Sequence, residues 1–221
     1  MKIAVIGTGM VGRGLAGRLA RLGHDVVVGT RDADATAGRS DFQEWQQAHP
    51  DVGLLPFAQA GAFGELVINA SAGASSLAAL DAVGADNLDG KVLLDLAIPL
   101  DLSQGLPPTL LIAADDSLGE RIQRAFPGAR VVKSLHTMYF EIMIDPARIP
   151  GPHSVFVAGE DAAAKKTVSE LLGEFGWPQD AIIDLGGITT ARGTEMYSRL
   201  YFDLVGAFGD FNFTINVVRA A

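Results

Sequence analysis

Three glycines near the start of the chain, Gly7, Gly9 and Gly12, keep the spacing G-x-G-x-x-G, and Thr30-Arg31 follows about twenty residues on. In such a series the first glycine permits a tight turn, the second lets a pyrophosphate approach the backbone, and the third lets a helix sit close on a strand. Thr8, Met10 and Val11 fill the positions between them. The N–H groups of the turn and of the helix start then face the phosphates, aided by the helix dipole. An NAD-selective site usually carries an acid where this chain has a hydroxyl and a guanidinium. Thr30 and Arg31 suit a 2′-phosphate instead, and so NADP(H). Asp32 leaves an alternative open: a strand two residues longer would make it the ribose acid, with Arg31 merely solvated.

These residues need a strand, a helix and a second strand to hold them. Ile3–Ile6 is a short apolar run fit for a buried strand, Val11, Leu15, Leu19 and Leu22 form one helical stripe, and Val26–Val28 begins the next strand. Asp32–Arg39 reads as a polar loop over the adenosine end, and 41–49 as a short helix stopped by Pro50. Further strands are expected at 52–57, 66–70, 92–97 and 131–135, with helices at 75–83 and from Ser117, which with Glu120 fits a capping box, to about Phe126. Pro99 and the Gly105–Pro108 cluster break regular structure. This rhythm predicts an α/β fold, a doubly wound, mostly parallel sheet of the Rossmann type. Asp145–Pro152, with its three prolines, is the expected seam between a nucleotide-binding domain, 1–145, and a small C-terminal domain, 146–221. That second part reads as strand 154–158, helix 162–175, strand 182–185 and a long helical segment. Met196, Leu200, Leu204, Phe208, Phe211, Ile215 and Val218 form one apolar stripe along that segment, with Tyr197, Tyr201 and Val205 beside it. So broad a face reads either as ordinary core or as a homodimer interface that helps line the substrate cleft.

Ligands of open parallel sheets lie beyond the carboxyl ends of the strands. That rule gathers Thr8, Thr30, Arg31, Ala70, Ser71, Ala97, Ile98, Pro99, His136 and Thr137 into one crevice. Ser71 falls where the nicotinamide half should pass, and Ala97-Ile98-Pro99 offers an apolar wall. His136 is the one histidine at such a position and the candidate catalytic group, against a strand-end histidine that satisfies backbone groups.

Composition narrows the partners. The chain has 221 residues, 48% of them hydrophobic and 19% charged, which predicts a packed core. A net charge of −9 argues against nucleic acid and anionic lipid. There is no cysteine, hence no disulfide, no Cys-based zinc site and no thiol nucleophile, and no metal site is expected. The longest uncharged run, Leu66–Leu80, is 15 residues and contains polar positions, so no membrane span is expected and a cytoplasmic protein is the default. HExxH, GxSxG, P-loop and Tyr-x-x-x-Lys patterns are absent. Reduction of a ketone needs a proton donor, and only His136 or Tyr139 could serve. Hydride transfer between two heterocycles needs only stacked rings and excluded water, which fits a site poor in acid–base groups.

The stretch IGTGMVGRGLAGRLARLGHDVVVGTR, together with VVKSLHTM and ITTARGTEMY, resembles the NADPH-dependent, deazaflavin-reducing oxidoreductases, the coenzyme F-420:NADP reductases and their bacterial relatives. The resemblance implies a Rossmann domain with a small C-terminal domain, packed as a homodimer. It implies that Thr8, Thr30 and Arg31 take the 2′-phosphate, that Gly7, Gly9 and Gly12 shape the pyrophosphate turn, and that Ser71, Ala97, Pro99 and His136 lie near the nicotinamide and deazaflavin rings. Arg192 and Glu195 match its C-terminal pattern and read most plainly as a structural ion pair. A second basic residue that the family pattern puts near Ala35 is lacking. The expected activity is hydride transfer between NADPH and a deazaflavin or flavin-like acceptor. Reduction of imines or small carbonyl compounds, and a non-catalytic dinucleotide sensor, are the alternatives.

Overall fold

Ile3–Ile6 is fully buried, the place that an unalternating apolar run takes at the centre of a parallel sheet. In the computed structural model, which describes residues 1–220, this run lies in β1 (Lys2–Ile6). The glycine turn leads into α1 (Met10–Arg21) and β2 (Asp25–Thr30). Next come α2 (Ala33–Ala37), α3 (Ser40–Ala48), β3 (Gly53–Pro56), α4 (Phe57–Phe63) and β4 (Leu66–Asn69). The chain continues through α5 (Ser76–Val83), α6 (Ala85–Leu88) and β5 (Val92–Asp95) to a short ladder of β6 (Leu100–Asp101) and β7 (Thr109–Leu110). Then follow α7 (Leu118–Ala125), β8 (Arg130–Ser134) and α8 (Phe140–Ile144). The last elements are β9 (Val155–Ala158), α9 (Ala162–Phe175), β10 (Ile182–Asp184) and α10 (Ala191–Phe208).

The main sheet runs β3-β2-β1-β4-β5-β8-β9-β10 and is parallel except at β8–β9. Ile3 stands opposite Val26 on one side and Leu66 on the other, so strand order reverses at β1 and opens a crevice between β1 and β4. Helices cover both faces. Leu15, Leu19, Phe42, Ile142, Leu171 and Phe175 belong to one core, and Ala60, Leu80, Ile122, Phe126 and Ile188 to the other. Each large side chain so buried contributes roughly 1.5–3 kcal/mol by leaving water.

Pro99 and Gly105–Pro108 lie outside every strand and helix, as their breaker residues imply, and between and after them Leu100 and Asp101 pair with Leu110 and Thr109. Two expectations change. Asp32–Arg39 is not all loop, because the Asp32 carboxylate accepts Ala35 N–H at 2.9 Å and caps α2. Secondly, α10 stops at Gly209, which is left-handed at φ +78°, so Phe211, Ile215 and Val218 lie beyond the helix although the apolar spacing continues. The expected seam falls between α8 and β9, and β9 then joins the same sheet. No helix among the described residues is long and apolar enough to cross a membrane.

Candidate active site

The turn after β1 is built around missing side chains. Gly7 holds φ +125°, and a Cβ there would lie 2.6 Å from the Ala70 carbonyl oxygen. A Cβ on Gly12 would collide with the Gly7 carbonyl, so α1 can approach the turn only with glycine at this position. Gly9 differs: no atom lies within 4 Å of where its Cβ would be. It precedes α1 without any side-chain cap, which leaves the first N–H groups of that helix for a ligand. The open space and free donors fit the pyrophosphate of a dinucleotide.

At the adenosine end, β2 stops at Thr30. Asp32 does not extend that strand: its Oδ1 caps α2. Thr30 is buried, with its hydroxyl 2.8 Å from that of Thr36, while Arg31 is exposed. A second cation comes from further along the chain: Arg39 Nη1 donates to Thr8 Oγ1 at 3.1 Å. Asp41 holds Arg39 through two hydrogen bonds, of 3.1 and 2.7 Å, and also pairs with Arg13 at 3.0 Å. The hydrogen bond from Arg39 holds the Asp41 carboxyl below its usual range. Arg39 lies four residues beyond Ala35, the position where the family pattern puts a second basic residue, and α2 and the turn into α3 fold it back toward Thr8, which no local sequence signal announces.

At the other end of the crevice is an apolar cavity of about 390 Å³. Met10, Val11, Ala70, Ser71, Ala97, Ile98, His136, Tyr139, Tyr201 and Phe211 are among its walls. Pro99 is buried and is not among them, and its carbonyl instead accepts Leu111 N–H at 2.7 Å. Tyr139 and Phe211 stack at 5.4 Å between ring centroids, so the segment after Gly209 supplies part of the rim. His136 follows Leu135, a non-glycine residue at φ +67°. It is buried, and among the described residues neither ring nitrogen makes a hydrogen bond of ordinary geometry, although the backbone of Ser134 and of Thr194 lies close enough to favour its protonated form slightly. Burial, reinforced by the charge of Lys133, drives its pKa well below the ordinary histidine value, so the ring is neutral.

Beneath the cavity runs a buried polar network. Lys133 Nζ lies 2.8 Å from Asp95 and 3.0 Å from Glu195, and it also donates to the Ala97 carbonyl. Burial opposes the ammonium charge, but the two carboxylates outweigh it and hold the Lys133 pKa above its ordinary value. Glu195 also accepts the N–H groups of Leu118 and Gly119, at 2.8 and 3.0 Å, at the start of α7. Arg192 pairs not with Glu195 but with Glu120, at 2.6 Å. Both residues of the expected pair therefore serve structure, with different partners. Both reach α7, Arg192 at Glu120 and Glu195 at the N–H groups of Leu118 and Gly119, while Glu195 alone also meets Lys133 of β8. Among the described residues no cluster of His, Asp and Glu could hold a metal ion.

Residues 2–99 match the family described as NADP oxidoreductase, coenzyme F420-dependent. The F420-dependent NADP reductase of Methanothermobacter marburgensis is 31% identical over 214 residues, 92% of each chain. The rat metalloreductase STEAP3 is 30% identical over 200 residues, which cover 88% of this chain and 36% of that protein. A crystal structure from Arthrobacter sp. FB24, named for F420-dependent NADP reduction, is 55% identical, covers 99% of this chain and 100% of that one, and superposes with a TM-score of 0.96. A glycine turn open to a pyrophosphate and an apolar ring-sized cavity beside it are thus found in a chain that belongs to the family of coenzyme F420-dependent NADP oxidoreductases.

Proposed function

We propose that this NADP-dependent oxidoreductase passes hydride between NADPH and a deazaflavin such as coenzyme F-420, or a flavin-like acceptor. The observation that carries the reading is the cavity's chemistry: aromatic and aliphatic walls, with a histidine held neutral. Such a site suits two stacked rings and excluded water better than a reaction that waits on a proton donor.

NADPH, when bound, supplies the hydride; what remains for the chain is binding and alignment. Gly7, Gly9 and Gly12 with the α1 N–H groups take the pyrophosphate, flanked by Met10 and Val11. Thr8, Arg31 and Arg39 take the 2′-phosphate, with Thr30 shaping the strand end through its bond to Thr36. Ala70, Ser71 and Ala97 meet the nicotinamide ring. Tyr139, Tyr201 and Phe211 wall the space left for the acceptor and keep it dry. His136 closes the floor as a neutral group. Residues 146–221 contribute α10 and the aromatic rim, and the exposed apolar face of α10 joins two copies as a homodimer.

The test is a spectroscopic assay of purified protein with NADPH and a deazaflavin, run beside flavin, imine and ketone acceptors. Turnover with the deazaflavin and not with imines or ketones is the expected result. Rapid imine reduction that is lost in His136→Ala, with NADPH affinity kept, would overturn it.

A further inference from the structure

A directional hydrogen-bond chain runs from the cavity wall to the buried cation beneath it. All of Lys133's donors are committed, to Asp95, Glu195 and the Ala97 carbonyl. Asp95, as the ion-paired carboxylate, offers acceptors only, and its Oδ1 lies 2.8 Å from the Asn69 side-chain amide. That amide must turn its NH2 toward Asp95, which leaves Asn69 Oδ1 facing Ser71. Ser71 Oγ is 2.6 Å from Asn69 Oδ1 and gives its single hydrogen there. Ser76 Oγ, 2.9 Å away, engages at most one of the two lone pairs on Ser71. An acceptor is left on a residue that lines the cavity.

We propose that Ser71 accepts a hydrogen bond from the carboxamide NH2 of the nicotinamide, with Asn69, Asp95 and Lys133 as positioning residues that hold the hydroxyl in the accepting sense. The inference rests on the NADP(H) site described above and adds the polarity of its ring end. A free serine hydroxyl could meet either end of a carboxamide, its C=O or its NH2. A serine whose hydrogen is already taken can meet only the NH2, so the buried ion pair selects one rotamer of the carboxamide.

Calorimetric Kd values for NADP+ and for its 3-acetylpyridine analogue test this without turnover, because the analogue keeps the carbonyl and replaces NH2 by a methyl group. The wild-type protein should bind NADP+ about three- to tenfold more tightly than the analogue, the worth of one neutral hydrogen bond. Ser71→Ala should bring the ratio to about one. Asn69→Ala should lower it as well, whereas a merely structural loss weakens both ligands alike. If Asn69→Ala does not fold, the triple replacement Asp95→Asn, Lys133→Met and Glu195→Gln, which strands no buried charge, frees Asn69 to turn over and should lower the ratio in the same way. A ratio near one in the wild type, or one that survives Ser71→Ala, overturns the acceptor role. An unchanged ratio in the folded Asn69 or triple variant overturns the positioning role. Failure of the wild type to bind NADP+ at all would instead remove the site on which the inference stands.

Discussion

Arg31 and Arg39 come to the adenosine end from different elements, one from the end of β2 and one from the turn before α3, and they are held differently. Among the described residues Arg31 is exposed and makes no ion pair, while Arg39 is clamped by Asp41 and touches Thr8. A charge-assisted hydrogen bond contributes about 1.5–3 kcal/mol. Arg31→Ala should therefore weaken NADPH about ten- to a hundredfold and leave NADH almost unchanged, as read by fluorescence titration. Equal losses for the two nucleotides would remove the 2′-phosphate role. Arg39→Ala should act in the same direction by a smaller factor, because Asp41 already draws on its charge. The Thr30-Arg31 pair was legible from the sequence because it follows directly on a strand. Arg39 was not, because its approach to Thr8 depends on the fold of α2 and α3 and on its bonds to Asp41, a tertiary arrangement that no local pattern carries.

His136 gives a second test at this scale. Its pKa is lowered in the folded chain, so between that value and about 6.5 the unfolded state binds more protons. Stability from this group is full above pH 6.5 and is lost as pH falls, by up to about 1.4 kcal/mol per pH unit. Urea melts of the wild type and His136→Gln should diverge in slope against pH below 6.5, with the wild type the steeper. Turnover with a deazaflavin should show no inflection near pH 6.5, since a neutral ring has no proton to give.

Among the elements, α7, β5, β8 and α10 are tied at one point by Asp95, Lys133 and Glu195. Removing one partner of a buried ion pair strands an uncompensated charge. Lys133→Met should cost about 3–5 kcal/mol in chemical denaturation. The triple replacement Asp95→Asn, Lys133→Met and Glu195→Gln should cost clearly less, although it changes more residues. A triple variant less stable than Lys133→Met would mean that packing, not charge, governs this site. Local signals foretold much of this level. Ser117 caps α7 as its spacing with Glu120 implies, accepting Glu120 N–H at 3.1 Å. Arg192, which holds Glu120, and the Leu118 and Gly119 amides that Glu195 accepts lie more than seventy residues from them in sequence, and no helical period encodes these pairs. Apolar spacing likewise carried the expected last helix past Gly209, because spacing records which face is greasy and not where the backbone turns.

For the whole molecule, the open question is what covers α10. Met196, Leu200 and Phe208 are 39, 54 and 60% exposed along one side of that helix. Exposed apolar side chains on one side of a helix are the basis for the proposed dimer contact. Sedimentation should find a homodimer, and Leu200→Glu with Phe208→Glu should shift it to monomer with the far-ultraviolet spectrum kept. A wild-type monomer at micromolar concentration would retire the interface. The doubly wound, mostly parallel character of the sheet could be read from alternation of strand and helix, though not the order of its strands. The reversal at β9 could not, since nothing in Ser154–Ala158 encodes its direction.

That reversal has a dynamic consequence. β9 is stitched to β8 by two rungs only, Lys133 opposite Ala158 and Ser134 opposite Val157. The central strands share four or five rungs with each neighbour. Buried side chains of α9, Leu171 and Phe175 among them, still anchor this edge in the core shared with α1, so the expected effect is confined to the backbone: the amides of β9 and β10 should trade hydrogen for deuterium ahead of those of β1, β4 and β5.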